Sequence, residues 1–228
     1  TMFLHFTEDS YEKALIGLFQ SMGYEYAYGP DIERNYQEPY YLNQVWASLP
    51  IVNPSKHQNA IAEAIKKLTN IDSGDLAQKN GIFMDYLQNG IPVAYHDGKE
   101  IRHDIVYLID YENTHRNTFQ IINQWTYVEK SEKRADLIIF VNGLPLVLVE
   151  LKSPSREETD ASAAYRQIKN YIYEIPSMFT YNAFCVMSDM MCSKAGTITS
   201  SEDRFMEWKT KDGSYKSTQY ADYDTFFE

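Results

Sequence analysis

The protein has 228 residues, of which 44% are hydrophobic and 23% charged, and this mixture excludes a largely disordered chain. No uninterrupted apolar run approaches the ~18 residues of a membrane-spanning helix. The 21 Lys and Arg residues against 32 Asp and Glu give a net charge of −11. Because affinity for nucleic acid rests mainly on neutralising phosphates with Lys and Arg, an autonomous nucleic-acid binder is not expected.

The cysteine content and the first residues indicate the compartment. The two cysteines, Cys185 and Cys192, match no zinc-binding spacing. So few cysteines are typical of a reducing environment. Residues 1–10 have neither the basic segment nor the apolar core of a secretory signal. We therefore expect a cytoplasmic protein with no membrane partner.

Helical periodicity is clearest near the start of the chain. Apolar residues recur at helical spacing over residues 7–22, and Gly23 follows as a stop signal. The same spacing predicts helices over residues 54–68 and 75–89, and a further helix over 160–175. The first of these helices is expected to pack on the core of the domain.

Strand signals begin after the third of these helices. Residues 91–95 and 101–110 are rich in β-branched and aromatic side chains and are joined by a hairpin signal, Asp97-Gly98. Strands are also predicted at residues 119–128, 135–141, 146–152 and 183–187. Leu146 to Leu151 is apolar on both faces until Glu150, which indicates a central strand. The predicted fold class is α/β, with a mixed sheet flanked by helices.

Three charged residues interrupt this apolar sheet sequence. Asp136 lies on one predicted strand, and Glu150 and Lys152 lie two residues apart on the next strand, so they share a face. Charges are costly in such a setting unless they are paired or bind a metal. Two carboxylates can hold Mg²⁺, which activates a bound water and stabilises charge on a phosphate. Lys152 would position that water, and the Leu151 carbonyl is a candidate extra ligand.

The connection between the two strands decides whether the carboxylates can meet. A strict two-residue turn at Asn142-Gly143 would place Asp136 on the same face as Val149, with Glu150 pointing away. A three-residue turn, or a β-bulge, puts both carboxylates on one face. We therefore predict an odd-length turn or a bulge. The alternative interpretation is a strand that ends in solvent and pairs its charges there.

The block RADLIIFVNGLPLVLVELKSP, residues 134–154, resembles the active-site hairpin of the PD-(D/E)xK nuclease superfamily. More narrowly, it resembles the N-terminal endonuclease domain of the R (HsdR) subunit of type I restriction enzymes. Asn123-Gln124 matches an Asn-Gln of that family, and residues 167–171 match its Gln-x-x-x-Tyr motif. A Phe-x-x-Trp segment lies within residues 200–210. The similarity thus extends over nearly the whole chain.

The resemblance implies roles for further residues. Gln167 and Tyr171 are neighbours on one face of the predicted helix. They match a family motif that lies beside the nuclease centre and supports DNA contact or cleavage. Without the resemblance, the alternative is a helix that simply covers the sheet. Glu12 matches the acidic position that the superfamily often carries on its first helix, where it can complete the metal site. Glu8 competes for that position, and a solvated helix face would explain either residue.

The resemblance also implies the wider organisation. The chain would be a single N-terminal nuclease domain over residues 1–228, with a catalytic core at 119–188 plus the first helix, and residues 37–112 as an elaboration. These residues contain no G-x-x-x-x-G-K-[ST] motif, so the ATP-dependent motor of the R subunit would lie outside them. The implied partners are double-stranded DNA and the methyltransferase and specificity subunits.

The implied activity is Mg²⁺-dependent, sequence-nonspecific cleavage of double-stranded DNA when the translocating complex stalls. Three alternatives stay open at this point. The chain could be an inactive nuclease-like module that couples motor to methyltransferase, a nuclease of the same superfamily directed to RNA or flap substrates, or a plain protein-interaction domain.

Overall fold

The computed structural model describes residues 7–151, 161–188, 193–196 and 206–207. The helices are α1 (Glu8–Ser21), α2 (Leu42–Val52), α3 (Gln58–Leu68), α4 (Leu76–Asn89), α5 (Ala161–Glu174) and α6 (Pro176–Thr180). The strands are β1 (Glu25–Tyr28), β2 (Ile91–His96), β3 (Ile101–Val106), β4 (Phe119–Val128), β5 (Glu132–Val141), β6 (Leu144–Leu151), β7 (Phe184–Ser188), β8 (Ser193–Gly196) and β9 (Met206–Glu207).

A mixed seven-stranded sheet organises the domain, in the order β1-β4-β5-β6-β7-β8-β9. The β1–β4 and β6–β7 pairs are parallel, and the other neighbours are antiparallel. All eight residues of β6 are buried between β5 and β7, which confirms the predicted central strand. The predicted α/β class, a mixed sheet flanked by helices, is also confirmed.

Two apolar cores lie on opposite faces of this sheet. One contains the buried face of α1, with Leu15 and Phe19, together with Leu137 and Val149 from the sheet. The other contains Phe140 and Leu148 from the sheet, and side chains of α5 and α6 such as Ile168. Because successive strand residues point to opposite faces, β5 and β6 supply both cores, and this explains why their sequences are almost continuously apolar.

Residues 37–112 do not form a separate unit. Val45, Leu49, Ile61 and Phe83 belong to the same core cluster as α1 and the sheet. The β2–β3 hairpin forms its own two-stranded sheet and packs on α3. These residues therefore add to the main core, and two of them, Tyr41 and Leu76, also pack against the core on the opposite face of the sheet.

Several element boundaries differ from those predicted. The strand predicted over residues 101–110 ends at Val106, since the Tyr107 amide donates to the Asn53 side chain (2.8 Å) instead of continuing the ladder. The helix predicted from residue 54 begins at Gln58, where His57 Nδ1 accepts from the Asn59 amide as a cap. The sequence patterns predicted neither β1 nor α2; α2 carries Pro50 inside it.

Candidate active site at one end of the sheet

The β5–β6 connection combines a two-residue turn with a β-bulge. Asn142 and Gly143 both have positive φ angles, 52° and 81°, as in the tight hairpin turns that match strand twist. Val141 pairs with Leu144 across this turn, but Ile139 pairs with Val147, so Pro145 and Leu146 together stand opposite one residue, Phe140. Pro145 suits a bulge because it has no amide hydrogen to offer the ladder.

The bulge decides which way the two acids point. Beyond it the pairs continue to Leu137 with Val149, and the next pair in this register is Asp136 with Glu150. The two carboxylates therefore share one face, which the turn alone would not have produced. The prediction of an odd-length turn or a bulge is confirmed by the bulge.

Glu150 is a buried acid, with only 2% of its surface exposed. Gln167 Nε2 on α5 donates a long hydrogen bond to Glu150 Oε2, at 3.4 Å. The same amide nitrogen donates to the Tyr171 hydroxyl at 3.2 Å. The structure thus brings the predicted Gln-x-x-x-Tyr pair into contact with the predicted acid. Their roles in DNA contact stay predictions.

Both acids of the hairpin affect the pKa of Tyr171. Burial, followed by the negative charge of Glu150 and that of Asp136, raises the pKa of the Tyr171 hydroxyl well above its ordinary value. A tyrosine is protonated at neutral pH even without such a shift, and the Tyr171 hydroxyl also forms a hydrogen bond with Glu150. The charge of Glu150 also adds to burial in raising the pKa of the Cys185 thiol.

Asp136 is held by the neighbouring strand. The Leu151 amide donates to Asp136 Oδ2 at 2.9 Å, which fixes the carboxylate beside the end of β6. Leu151 was predicted to lend its carbonyl to a metal, and that part stays a prediction. Lys152, the third predicted catalytic residue, lies outside the described residues.

Glu12 joins this end of the sheet from α1. Its two carboxylate oxygens accept hydrogen bonds from Asn123 Nδ2 (2.6 Å) and Gln124 Nε2 (2.9 Å) on β4. Burial is the main cause that raises the pKa of Glu12, and the negative charge of Asp136 adds to it. Glu8, the competing acid, is exposed in the first turn of α1. Glu12 contacts the sheet through β4.

The acids do not form a ready-made metal cluster in the part of the chain that the structure describes. Across those residues, no three His, Cys, Asp or Glu side chains form a group that could hold a metal ion. Asp136 and Glu150 share a face, whereas Glu12 approaches from another element. Metal binding therefore stays a prediction. Among the described helices, none is both long and apolar enough to cross a membrane.

One contact at this end was missed by sequence reasoning. The Tyr26 hydroxyl on β1 donates to Asn123 Oδ1 at 3.0 Å and so extends the contacts of Glu12 to the edge strand. Nothing in the pattern of residues 25–28 marks a functional position, because four residues with two tyrosines are compatible with any short edge strand.

The family model for the N terminus of the type I restriction enzyme R protein matches residues 5–204, which include every site residue described above. The chain belongs to this family. It is 33% identical over 222 residues to the type I restriction enzyme HindI endonuclease subunit of Haemophilus influenzae, covering 93% of this chain and 21% of that protein. It is 28% identical over 197 residues to the EcoprrI endonuclease subunit of Escherichia coli, covering 76% of this chain and 61% of that protein.

This R-protein N-terminal chain therefore spans about a fifth of the HindI subunit and less than two thirds of the EcoprrI subunit. The acid-bearing hairpin, in contrast, lies wholly inside the family match.

Proposed function

We propose that the chain is the nuclease domain of a type I restriction enzyme and hydrolyses double-stranded DNA with the help of Mg²⁺. The observation that carries the proposal is the bulge at Pro145-Leu146, which turns Asp136 and Glu150 to one face at the end of the sheet. Two relatives named as type I restriction endonuclease subunits support the same assignment.

The available side chains suit a hard divalent cation. Carboxylate oxygens are the ligands that Mg²⁺ prefers, and it commonly takes only one or two of them while keeping several waters. Asp136 and Glu150 would hold the ion, which when bound lowers the pKa of a water and neutralises charge on the scissile phosphate. Glu150 is buried, and a buried carboxylate gains more from a cation than an exposed one does.

The protein's own groups orient these ligands. The Leu151 amide fixes the Asp136 carboxylate through Oδ2. Gln167 donates to Glu150 Oε2 from α5. The Tyr171 hydroxyl accepts from Gln167 and is itself hydrogen-bonded with Glu150, so it helps to orient that carboxylate. Lys152 would offset negative charge in the transition state.

The charge of the chain supports a division of labour within a larger complex. With a net charge of −11, the domain repels DNA at long range, so other parts of the assembly must hold the duplex. We propose that an ATP-driven motor supplies DNA to this domain, and that methyltransferase and specificity subunits choose the binding site. Cleavage itself would be nonspecific in sequence.

The decisive experiment uses the full R subunit assembled with its partner subunits. Lys152→Ala and Asp136→Ala should each abolish DNA cleavage while ATP hydrolysis and assembly continue. Cleavage at the unaltered rate in both variants would contradict the proposal and indicate a nuclease-like module without catalysis.

The metal is tested separately from cleavage. Isothermal titration of the R subunit with Mn²⁺ in the absence of nucleotide should show a binding event that Asp136→Ala removes. Heat that is unchanged by this substitution would place the cation elsewhere in the subunit.

A further inference from the structure

The contacts of Glu12 depend on an unusual backbone at Gln124. Successive residues of a strand normally point to opposite faces. Asn123 and Gln124 are successive residues of β4, yet their side-chain amides bond to the two oxygens of one carboxylate, that of Glu12. The φ angle of Gln124 is 51°, in the left-handed region that residues with a side chain rarely adopt. This local reversal turns both amides toward α1.

Gly29 makes room for this backbone. A Cβ atom on Gly29 would lie 2.7 Å from the Gln124 carbonyl oxygen and nearer still to that of Asn123. Such approaches are too close for any residue other than glycine. Gly29, directly after the edge strand β1, therefore packs against the backbone of Asn123 and Gln124 and stabilises the reversed segment of β4.

Tyr26 determines which way the Asn123 amide faces. The Tyr26 hydroxyl donates to Asn123 Oδ1 (3.0 Å), so Nδ2 of the same amide must point toward Glu12, where it donates at 2.6 Å. If the hydroxyl were removed, Asn123 Oδ1 would lose this donor and the amide would be held less firmly in the orientation that faces Glu12. Glu12 is thus held by a chain of hydrogen bonds that begins at the edge of the sheet.

The reversed residue also stands next to the proposed active site. Asn123 pairs with Leu137 and Trp125 pairs with Ala135, so Gln124 is the cross-strand neighbour of Asp136. Left-handed backbone at a residue with a side chain persists only where its surroundings enforce it, and it is concentrated at functional sites. The charge of Asp136 reaches Glu12, in agreement with this placement.

We propose that Tyr26, Asn123 and Gln124 are positioning residues that hold the Glu12 carboxylate beside Asp136, where its charge strengthens the hold of the site on a cation. This rests on the proposed nuclease function. Glu12 contributes as a fixed negative charge, and the three positioning residues act only through it.

The test compares single-group changes in the full R subunit, assembled with its partner subunits for cleavage. Tyr26→Phe removes one hydroxyl and should reduce the cleavage rate about 10-fold, as loss of an outer contact of a metal-site carboxylate typically does. Tyr28→Phe, the same substitution two residues along β1, is the matched control and should leave the rate unchanged. Both variants should retain ATP hydrolysis.

A double-mutant cycle separates positioning from a general effect on folding. Glu12→Gln should reduce cleavage at least as much as Tyr26→Phe, and the double variant should lose no more than Glu12→Gln alone, because Tyr26 acts through Glu12. Mn²⁺ affinity, measured by titration without nucleotide, should weaken about 10-fold in each single variant. Gln124→Gly provides a further variant, since glycine tolerates the left-handed backbone but lacks the amide; its loss should match that of Tyr26→Phe.

Two outcomes would overturn the inference and leave the proposed function standing. The first is cleavage at the unaltered rate by Glu12→Gln while Asp136→Ala is inactive. The second is a double variant, Tyr26→Phe with Glu12→Gln, whose loss of cleavage rate equals the product of the two single losses. If Asp136→Ala also cleaves at the unaltered rate, the proposed function fails and this inference fails with it.

Discussion

The acidic residues of the β2–β3 hairpin and those at the β5–β6 hairpin differ in the partners that hold them. In the β2–β3 hairpin, Asp97 pairs with Arg102 at 2.6 Å and Asp104 pairs with Lys56 at 2.7 Å. The hydrogen bond to the cation is the main cause that lowers the pKa of each of these acids. In the β5–β6 hairpin, Asp136 accepts from a backbone amide. Glu12, beside it, accepts from two side-chain amides and has a raised pKa, mainly through burial.

This difference separates acids that stabilise the fold from acids that could bind a cation. An acid with its own Lys or Arg partner is already neutralised. An acid that accepts from amides, as Asp136 and Glu12 do, is held in a fixed direction. Burial makes a negative charge costly until a cation arrives. The comparison therefore predicts large effects on cleavage from the β5–β6 hairpin and only modest effects on stability from the β2–β3 hairpin.

The largest expected effect comes from Glu150. Glu150→Gln keeps the shape of the side chain but removes its charge, and it should reduce cleavage by about 1000-fold or more, since several kcal/mol of metal-derived stabilisation would be lost. The assay is cleavage by the assembled complex. Asp104→Asn is the matched control in the other hairpin; if it reduced cleavage equally, the distinction between the two hairpins would be wrong.

The next effect concerns the turns themselves. Gly143 has a φ of 81°, and a Cβ there would lie 2.6 Å from the Tyr41 carbonyl oxygen, whereas Gly98 has a φ of 98° with open space around it. Gly143→Ala should lower the free energy of unfolding by about 3 kcal/mol, from strain plus collision, and Gly98→Ala by only about 1 kcal/mol. Urea denaturation of both variants measures the difference. Equal losses of unfolding free energy in the two variants would show that the steric clash expected at Gly143 does not destabilise the protein.

A smaller effect is expected at Tyr171. Tyr171→Phe removes the hydroxyl that accepts from Gln167 and should reduce cleavage about 10-fold through loss of support for Glu150. Tyr173→Phe, at a residue of the same helix that is 68% exposed, should have no effect. A full rate for Tyr171→Phe would remove this residue from the site.

The smallest effect concerns the ion pair between Lys56 and Asp104. Both side chains are about a quarter exposed, 23% and 27%, so Lys56→Met should cost only about 1 kcal/mol at pH 7 and should not alter cleavage. The folded pKa of Asp104 is lowered, so the stabilisation is present above the unfolded pKa of about 3.9 and is lost as pH falls through the folded value. Urea denaturation of the unaltered protein and of Lys56→Met, at pH 7 and in acid, measures the difference in their free energies of unfolding. If the difference in free energy of unfolding persisted in acid, it could not be assigned to the ion pair between Lys56 and Asp104.

Much of the fold could be predicted from local patterns. The helices α1 and α4 and the strands β4 to β7 agree with the sequence periodicity to within a few residues, because each carries its own apolar repeat and its own start or stop residues. The acids Asp136 and Glu150 could also be selected, since a charge inside an apolar strand is costly and hence conspicuous.

Other elements had no local signal. The strand β1 is four exposed or half-buried residues that exist as a strand only because they pair with β4. The helix α2 contains Pro50, which normally ends a helix, and it is held by burial of Val45 and Leu49 in the core. In both cases distant contacts outweigh a weak or contrary local preference.

The amino-acid sequence by itself thus determined the α/β class, the pair of acids and the helix that carries Gln167 and Tyr171. Only the tertiary structure decided that the bulge lies at Pro145-Leu146, that Gln124 adopts a left-handed backbone and that Tyr26 reaches Asn123. The sequence predicted an odd-length turn or a bulge, but its position follows from how β5 and β6 pair in the folded sheet. The other two features depend on contacts between segments nearly a hundred residues apart, which no short window of sequence encodes.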